Sequence, residues 1–261
     1  MINSWQNPLV KQIRKLHRTK GRTEQNQILI EGTHLMETAC RLDCSFINLC
    51  YTEQWEQQYS QLCQKAIKQA KRVEIVSQEI LSLLATTINP DGIIATLERS
   101  QIHPQAPQQL QLGLVLERLQ DPGNLGTIIR TSVATGVDQL WLSQDSVEID
   151  NPKVIRASAG EWFRLPMGVV EDLPGLVRKY HSQGVQIIAT LPDTDRLYWD
   201  LDFTQPTLFL LGNEGAGLSQ SLIDLADHLV KIPLANQVES LNVAIATSVL
   251  LYEFQRQNRQ N

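Results

Sequence analysis

Long apolar runs are missing from this 261-residue sequence. Nothing approaches the ~20 apolar residues of a membrane span. Even the stretch Leu241–Leu251 is interrupted by Asn242, Thr247 and Ser248. Met1–Val10 lack the apolar core of a secretory signal. Cysteine is scarce: Cys40, Cys44, Cys50 and Cys63 all lie in the first quarter, with no Cys-x-x-Cys pair and no accompanying histidines. That argues against zinc and for reduced, buried thiols in a cytoplasmic protein. The five histidines are scattered and make no hydrolytic metal motif, so no metal is expected. No Gly-x-Gly-x-x-Gly opens the first strand–turn–helix unit with an acid near the next strand end, and no phosphate loop carries a lysine. These absences disfavour a nucleotide-dependent oxidoreductase. No Ser-His-Asp order points to hydrolysis.

Acid is also missing locally. Residues 1–23 hold Lys11, Arg14, Lys15, Arg18, Lys20 and Arg22 but no Asp or Glu, although the whole chain carries a formal charge of −5. A basic arm therefore precedes a neutral-to-acidic body, and it offers contacts to a polyanion. Apolar residues at 42% and charged residues at 20% are ordinary for a globular protein with one large core or two domains. The polar, proline-containing stretch from Ser100 to Gln109 reads as a linker. It divides a small domain, 1–102, from a larger one, 110–261, with 103–109 between them.

The first domain alternates short helices and strands. Helices are expected at Leu9–Leu16, Thr33–Ala39, Glu53–Ala70 and Gln78–Leu84, and strands at Ile28–Ile30, Phe46–Cys50, Val73–Val76 and Gly92–Leu97. In the second domain, strands at Leu110–Leu116, Gln139–Leu142, Val185–Ala189, Thr207–Leu211 and Leu229–Ile232 alternate with helices. Those helices are expected at Leu125–Thr135, from Pro152 towards Ser158, at Leu173–Ser182 and at Asn242–Gln255. Such alternation predicts an α/β fold with a largely parallel sheet covered on both faces.

Three places can carry chemistry. Asp121-Pro122-Gly123-Asn124-Leu125-Gly126 turns from a strand into a helix, and Arg130 sits about one turn further on, where its guanidinium can hold a phosphate or ribose oxygen. Gly212-Asn213-Glu214-Gly215-Ala216-Gly217 permits a tight turn whose backbone faces a planar ligand, with Glu214 as a polar anchor. Ser240-Leu241-Asn242 opens the last helix, capped by Ser240 or Asn242. Sites in open α/β sheets form at such strand ends.

Together these segments resemble the signatures of the SpoU/TrmH branch of the SPOUT RNA methyltransferases. The first runs from Leu119 to Arg130, the second is Phe209-Leu210-Leu211-Gly212-Asn213-Glu214-Gly215, and the third is Ile232-Pro233 with Ser240-Leu241-Asn242-Val243-Ala244. Arg156-Ala157-Ser158-Ala159-Gly160 looks like the family's intermediate segment. Ile30-Glu31-Gly32 and Asn89-Pro90-Asp91-Gly92-Ile93-Ile94-Ala95 are similar to the substrate-binding domain that often precedes this catalytic domain and resembles a ribosomal RNA-binding protein.

The resemblance implies S-adenosylmethionine-dependent methylation of a ribose 2′-hydroxyl in RNA. It also implies a SPOUT-type sheet with a carboxy-terminal trefoil knot, and a homodimer whose interface includes the last helix. It assigns Asn124, Arg130, Glu214, Ser240 and Asn242 to the reaction centre. Gly212, Asn213, Gly215, Ile232, Pro233, Leu241, Thr190 and Leu191 fall to the cofactor. Arg130 is read as positioning the ribose or phosphate and stabilising the developing oxyanion. The basic arm falls to RNA. The extra domain favours ribosomal over transfer RNA. The alternatives are a transfer-RNA enzyme or an RNA-binding assembly protein with a degenerate domain. Two positions depart from the family pattern: Asn236 stands where glycine is common, with an expected effect on loop shape, and Ala244 stands where serine is common.

Overall fold

Asn7-Pro8 starts the basic segment as such a pair favours. In the computed structural model, which describes residues 1–99, 104, 106–213 and 215–259, the Asn7 side chain accepts from the Leu9 N–H at 2.9 Å. Helix α1 (Pro8–Lys15) follows and buries Leu9, Val10 and Ile13. The chain continues through α2 (Thr19–Gln25), β1 (Gln27–Glu31), α3 (Thr33–Arg41), β2 (Phe46–Tyr51), α4 (Glu53–Gln58), α5 (Ser60–Lys68), β3 (Ala70–Ile75), α6 (Gln78–Leu84) and β4 (Ile93–Glu98). These strands form one sheet in the order β1-β4-β2-β3. Its outer β2–β3 pair is parallel, and β4 runs antiparallel to both of its neighbours. The expected helix over 53–70 is two helices, broken at Tyr59 (φ −125°, ψ 44°) with no glycine or proline to announce it.

Next come β5 (Leu112–Leu116), α7 (Pro122–Thr135), β6 (Gln139–Ser143), α8 (Pro152–Ala157), β7 (Met167–Val170), α9 (Leu173–Ser182), β8 (Gln186–Thr190), β9 (Thr207–Leu211), α10 (Gln220–Ile223), β10 (His228–Val230) and α11 (Val243–Asn258). Helix α7 begins three residues before the sequence places it. Asp121 caps it by accepting the Asn124 N–H at 2.9 Å, and Pro122 occupies the first turn, where its missing N–H costs nothing. The six strands from β5 to β10, all joined by parallel pairing, stand in the order β10-β8-β9-β5-β6-β7. Val115, Leu208, Leu210, Ile187 and Ala189 face a core completed by Leu173 and Val177 of α9. Leu114, Leu116 and Phe209 alternate to the other face and are buried too. Both faces are covered, as a parallel sheet requires.

The chain divides into two units, one of Met1–His103 with Glu148–Phe163 and one of Pro104–Val147 with Arg164–Asn261. The segment carrying α8 thus groups with the first unit, although the boundaries read from sequence place it inside 110–261. Residues 103 and 105 of the expected linker lie outside the described residues. Among the described residues no helix is long and apolar enough to cross a membrane.

One expected RNA contact is corrected. Arg22 is only 1% exposed. Its Nε donates to Asp150 at 3.2 Å and its Nη1 to the Leu16 carbonyl at 3.2 Å, with Glu148 3.8 Å from Nη2. Asp150, itself 2% exposed, also pairs with Arg99 at 2.7 Å. A desolvated guanidinium needs such partners, and this one has no surface left for a phosphate. Lys11, Arg14, Lys15, Arg18 and Lys20 are exposed, with Lys20 3.8 Å from Glu24. All four cysteines are free and three are buried. Burial is the main cause that pushes the Cys40 and Cys44 thiols up to about 11 and Cys50 to about 12. Arg22→Ala is expected to destabilise the protein by about 3 kcal/mol, since it leaves Asp150 with one cation fewer in a dry site. Replacing Lys11, Arg14, Lys15 and Arg18 together should leave denaturant unfolding unchanged within error, and the two midpoints measured side by side check both statements.

Candidate cofactor site

Strands β8, β9 and β10 run parallel and end at Thr190, Leu211 and Val230, so the segments leaving them emerge on one side of the sheet. There they surround a cavity of about 220 Å³ lined by Thr190–Pro192, residues from Leu211 to Gly217, Ile232, Leu234 and residues from Glu239 to Ala246. Asn213 builds the glycine turn. Its side-chain oxygen accepts the Gly215 and Ala216 N–H groups at 2.8 and 3.0 Å, its nitrogen donates to the Arg118 carbonyl at 2.9 Å, and its own carbonyl receives the Gly217 N–H at 2.9 Å. The turn closes so tightly that a Cβ on Gly212 would stand 2.1 Å from the Gly217 carbonyl carbon. Arg118 Nη2 donates to the Gly217 carbonyl at 3.1 Å, and Glu117 accepts the Ser219 N–H at 2.6 Å.

The far wall is the start of α11. Asn242, not Ser240, is the cap: its Oδ1 accepts from Ala244 N–H at 2.9 Å and from Ile245 N–H at 3.4 Å. Its Nδ2 donates to Asn124 Oδ1 at 2.9 Å. This bond joins the first turns of α7 and α11, which pack together and also meet through Thr131 and Ser248, whose hydroxyls are 3.3 Å apart. Asn236 has φ 56°, the left-handed conformation that glycine takes most easily and asparagine tolerates best among other residues. It therefore preserves the glycine-like conformation that its departure from the family pattern put in question. Ala244 contributes its backbone N–H to the cap, which a serine hydroxyl would not alter.

The profile of the SpoU rRNA Methylase family matches residues 111–252. The chain belongs to this family. Residues 7–95 match an MRM3-like substrate binding domain. An uncharacterized tRNA/rRNA methyltransferase of Synechocystis sp. is 50% identical, with 98% of this chain and 93% of that protein covered. A 23S rRNA guanosine 2′-O-methyltransferase of Bacillus subtilis is 30% identical, with 96% and 97% covered. The solved structure of the SpoU methyltransferase AviRb from Streptomyces viridochromogenes, in complex with AdoMet, has a TM-score of 0.86 at 29% identity and covers 98% of this chain and 100% of its own. This SpoU chain is an S-adenosylmethionine-dependent RNA 2′-O-methyltransferase.

The cavity suits that cofactor on its own chemistry. Its lining is mainly apolar side chains and exposed backbone, as pockets for planar ligands tend to be. The Thr190 hydroxyl is buried yet has no hydrogen-bond partner among the described residues, an arrangement that costs free energy unless a ligand supplies one. Of the residues singled out from sequence, Thr190, Leu191, Gly212, Asn213, Gly215, Ile232, Ser240 and Leu241 line this cavity together. Asn124 and Asn242 stand joined beside it. Pro233 is exposed between two lining residues. Arg130 is exposed on α7, about 9 Å along the helix axis from Asn124, and is not part of the lining. Glu214 lies outside the described residues.

Sequence reading missed Pro192, Leu211, Leu234, Glu239, Val243 and Ala246. Leu211 and Val243 stand inside the quoted motifs without a role assigned to them, and the other four had only nearness to the motifs as a signal. Gly212→Ala is expected to lower S-adenosylmethionine affinity by roughly tenfold, the scale of a 1–3 kcal/mol overpacking cost. Gly215→Ala, whose Cβ would meet nothing nearer than Asn213 Oδ1 at 3.4 Å, should change it little. Calorimetric titration of both variants reads the difference directly.

Proposed function

We propose that this SpoU chain methylates the ribose 2′-hydroxyl of a nucleotide in large-subunit ribosomal RNA. The observation that carries the reading is the Asn124–Asn242 bond, which sets the first turn of α7 against the wall of the cavity at the strand ends. When bound, S-adenosylmethionine supplies an electrophilic methyl group on a sulfonium. The chain's own part is to bind and align. The Thr190 hydroxyl and the backbone of Gly212, Asn213, Gly215 and Leu241 hold the cofactor, and the apolar lining excludes water from it.

On the RNA side, Arg130 presents a guanidinium with no hydrogen bond or ion pair among the described residues. It holds the ribose or its phosphate and stabilises charge developing on the 2′-oxygen. Ser240, Asn242 and Glu214 complete the reaction centre in this proposal. The relatives named for 23S rRNA support ribosomal RNA over transfer RNA. Arg130→Ala is expected to abolish methyl transfer while leaving cofactor affinity within about twofold. Labelled-methyl transfer to fractionated RNA, followed by ribose-methylation mapping, tests both substrate and residue. Turnover equal to the parent chain's would remove Arg130 from the mechanism, and label confined to transfer RNA would reassign the substrate.

The reading extends to a cytoplasmic homodimer and to a carboxy-terminal segment threaded as a knot. Support for the dimer comes from α11: Ile245 and Tyr252 are 55% and 53% exposed, and half-buried Val249 lies between them on the same stripe, on a helix whose other side buries Val243, Thr247, Leu250, Leu251 and Phe254. Sedimentation velocity should find a dimer, and Ile245→Asp should shift it to monomer. The tight approach of Gly212 to Gly217 supports the folded-back loop that a knot needs. Lys11, Arg14, Lys15 and Arg18 are proposed to contact RNA phosphates. Their joint replacement by Gln should flatten the slope of log affinity against log salt by up to about 3, and an unchanged slope would assign the arm to another role.

A further inference from the structure

A second cavity, of about 200 Å³, lies wholly within the first unit and plays no part in the chemistry above. Its walls are the turn from β1 into α3, the loop that leads into β4, and the end of α8. Glu31 sits at its base, 3% exposed in its side chain, and is fully engaged. It accepts the Thr86 N–H at 2.5 Å, the Thr86 hydroxyl at 2.6 Å, and Nη1 of Arg156. This buried carboxylate fixes the Arg156 guanidinium, one-third exposed, against the cavity wall. His34 Nε2 donates to the Ala159 carbonyl at 3.0 Å and closes another side.

The remaining polar groups are not used up. Asp91 Oδ2 accepts the Thr33 N–H at 2.9 Å, while its other oxygen and the Asn89 carboxamide have no partner among the described residues. Next to Asn89, Ile88 is 95% exposed, an apolar side chain held in water beside a polar pocket. The volume, close to that of the cavity at the strand ends, gives room for one base with its sugar. With Arg156 already neutralised by Glu31, the free charge facing the cavity is the Asp91 carboxylate. A carboxylate disfavours a phosphate, and its free oxygen together with the Asn89 carboxamide oxygen offers two acceptors to a base edge with two adjacent N–H donors. Guanine presents that edge.

We propose that this cavity is a recognition site for an unpaired guanosine of the RNA substrate. Asp91 accepts from the base edge, Asn89 completes the hydrogen bonding, the Arg156 guanidinium stacks on the ring and Ile88 covers its outer face. RNA is commonly read through such splayed-out, stacked bases. The site deepens the RNA-methyltransferase reading and rests on it, since it sets where the RNA docks rather than how the methyl moves.

The test is a TROSY titration of the full-length ¹⁵N-labelled protein with guanosine 5′-monophosphate, and with the adenosine, cytidine and uridine monophosphates as separate arms. The amides of Gly32, His34, Asn89 and Asp91 should shift with the guanosine nucleotide, and the other three should bind at least about fivefold more weakly. Asp91→Asn retains an oxygen for the Thr33 N–H, so it should fold normally, lose the guanosine preference, and raise KM for RNA roughly tenfold with cofactor affinity unchanged. Absence of shifts at these amides, shifts only around Gly212 and Leu241, or an Asp91→Asn variant with parental preference and KM would each overturn the proposal. Failure of the methyltransferase reading would show separately, as no methyl transfer to any RNA by a chain whose first-unit amides still respond to guanosine nucleotide.

Discussion

The carboxamide of Asn242 works at both ends at once. Its oxygen takes the first free N–H groups of α11 and its nitrogen reaches Asn124, 118 positions earlier in the chain. A helix whose first turn lacks partners frays. Fraying here would move Leu241 and Val243 away from the cavity and release the start of α7 with them. One side chain thus caps α11 at a wall of the cavity and ties it to the first turn of α7, whose own cap is Asp121.

The opposite wall obeys a different constraint. Strand β9 is buried on both faces and paired on both edges, so the chain can turn only after Leu211. It turns within six residues because Asn213 supplies the hydrogen bonds that a short loop cannot make with its own backbone, and because Gly212 has no Cβ to strike Gly217. Arg118 and Glu117, at the end of the neighbouring β5, tie the far end of the same turn. This wall is thus a glycine turn whose backbone is held by Asn213, Arg118 and Glu117, which suits a ligand recognised there through peptide groups.

The two cavities differ in character, and the difference matches the two tasks proposed for them. The one at the strand ends is mostly apolar, with one buried, unpartnered hydroxyl. The one in the first unit is charged, with a carboxylate and a carboxamide available. A sulfonium donor must be gripped and kept dry, whereas an RNA base must be told from its alternatives, and discrimination comes from hydrogen bonds that the wrong base leaves unmade.

Much of the fold was legible in the residues. Gln78–Leu84, Leu173–Ser182 and Thr207–Leu211 match the expected elements end for end, because their caps and apolar patterns are local properties. Helix α2, with Gly21 in its middle, strand β7 at four residues and helix α10 at four were invisible, since packing rather than propensity holds them. Tyr59 breaks a helix that periodicity would continue. Adjacency in sequence was enough to group Gly212 with Gly215 and Ser240 with Leu241. It could not show that Thr190 is left without a partner, that Asn124 meets Asn242, or that Arg22 turns inward to Asp150 while its basic neighbours stay outside. Residue order and local chemistry settle which helices and strands form and which motifs end them. Partnership between residues more than a hundred positions apart, and the loss of water that decides whether a charge is a contact or a strut, exist only once the chain has packed.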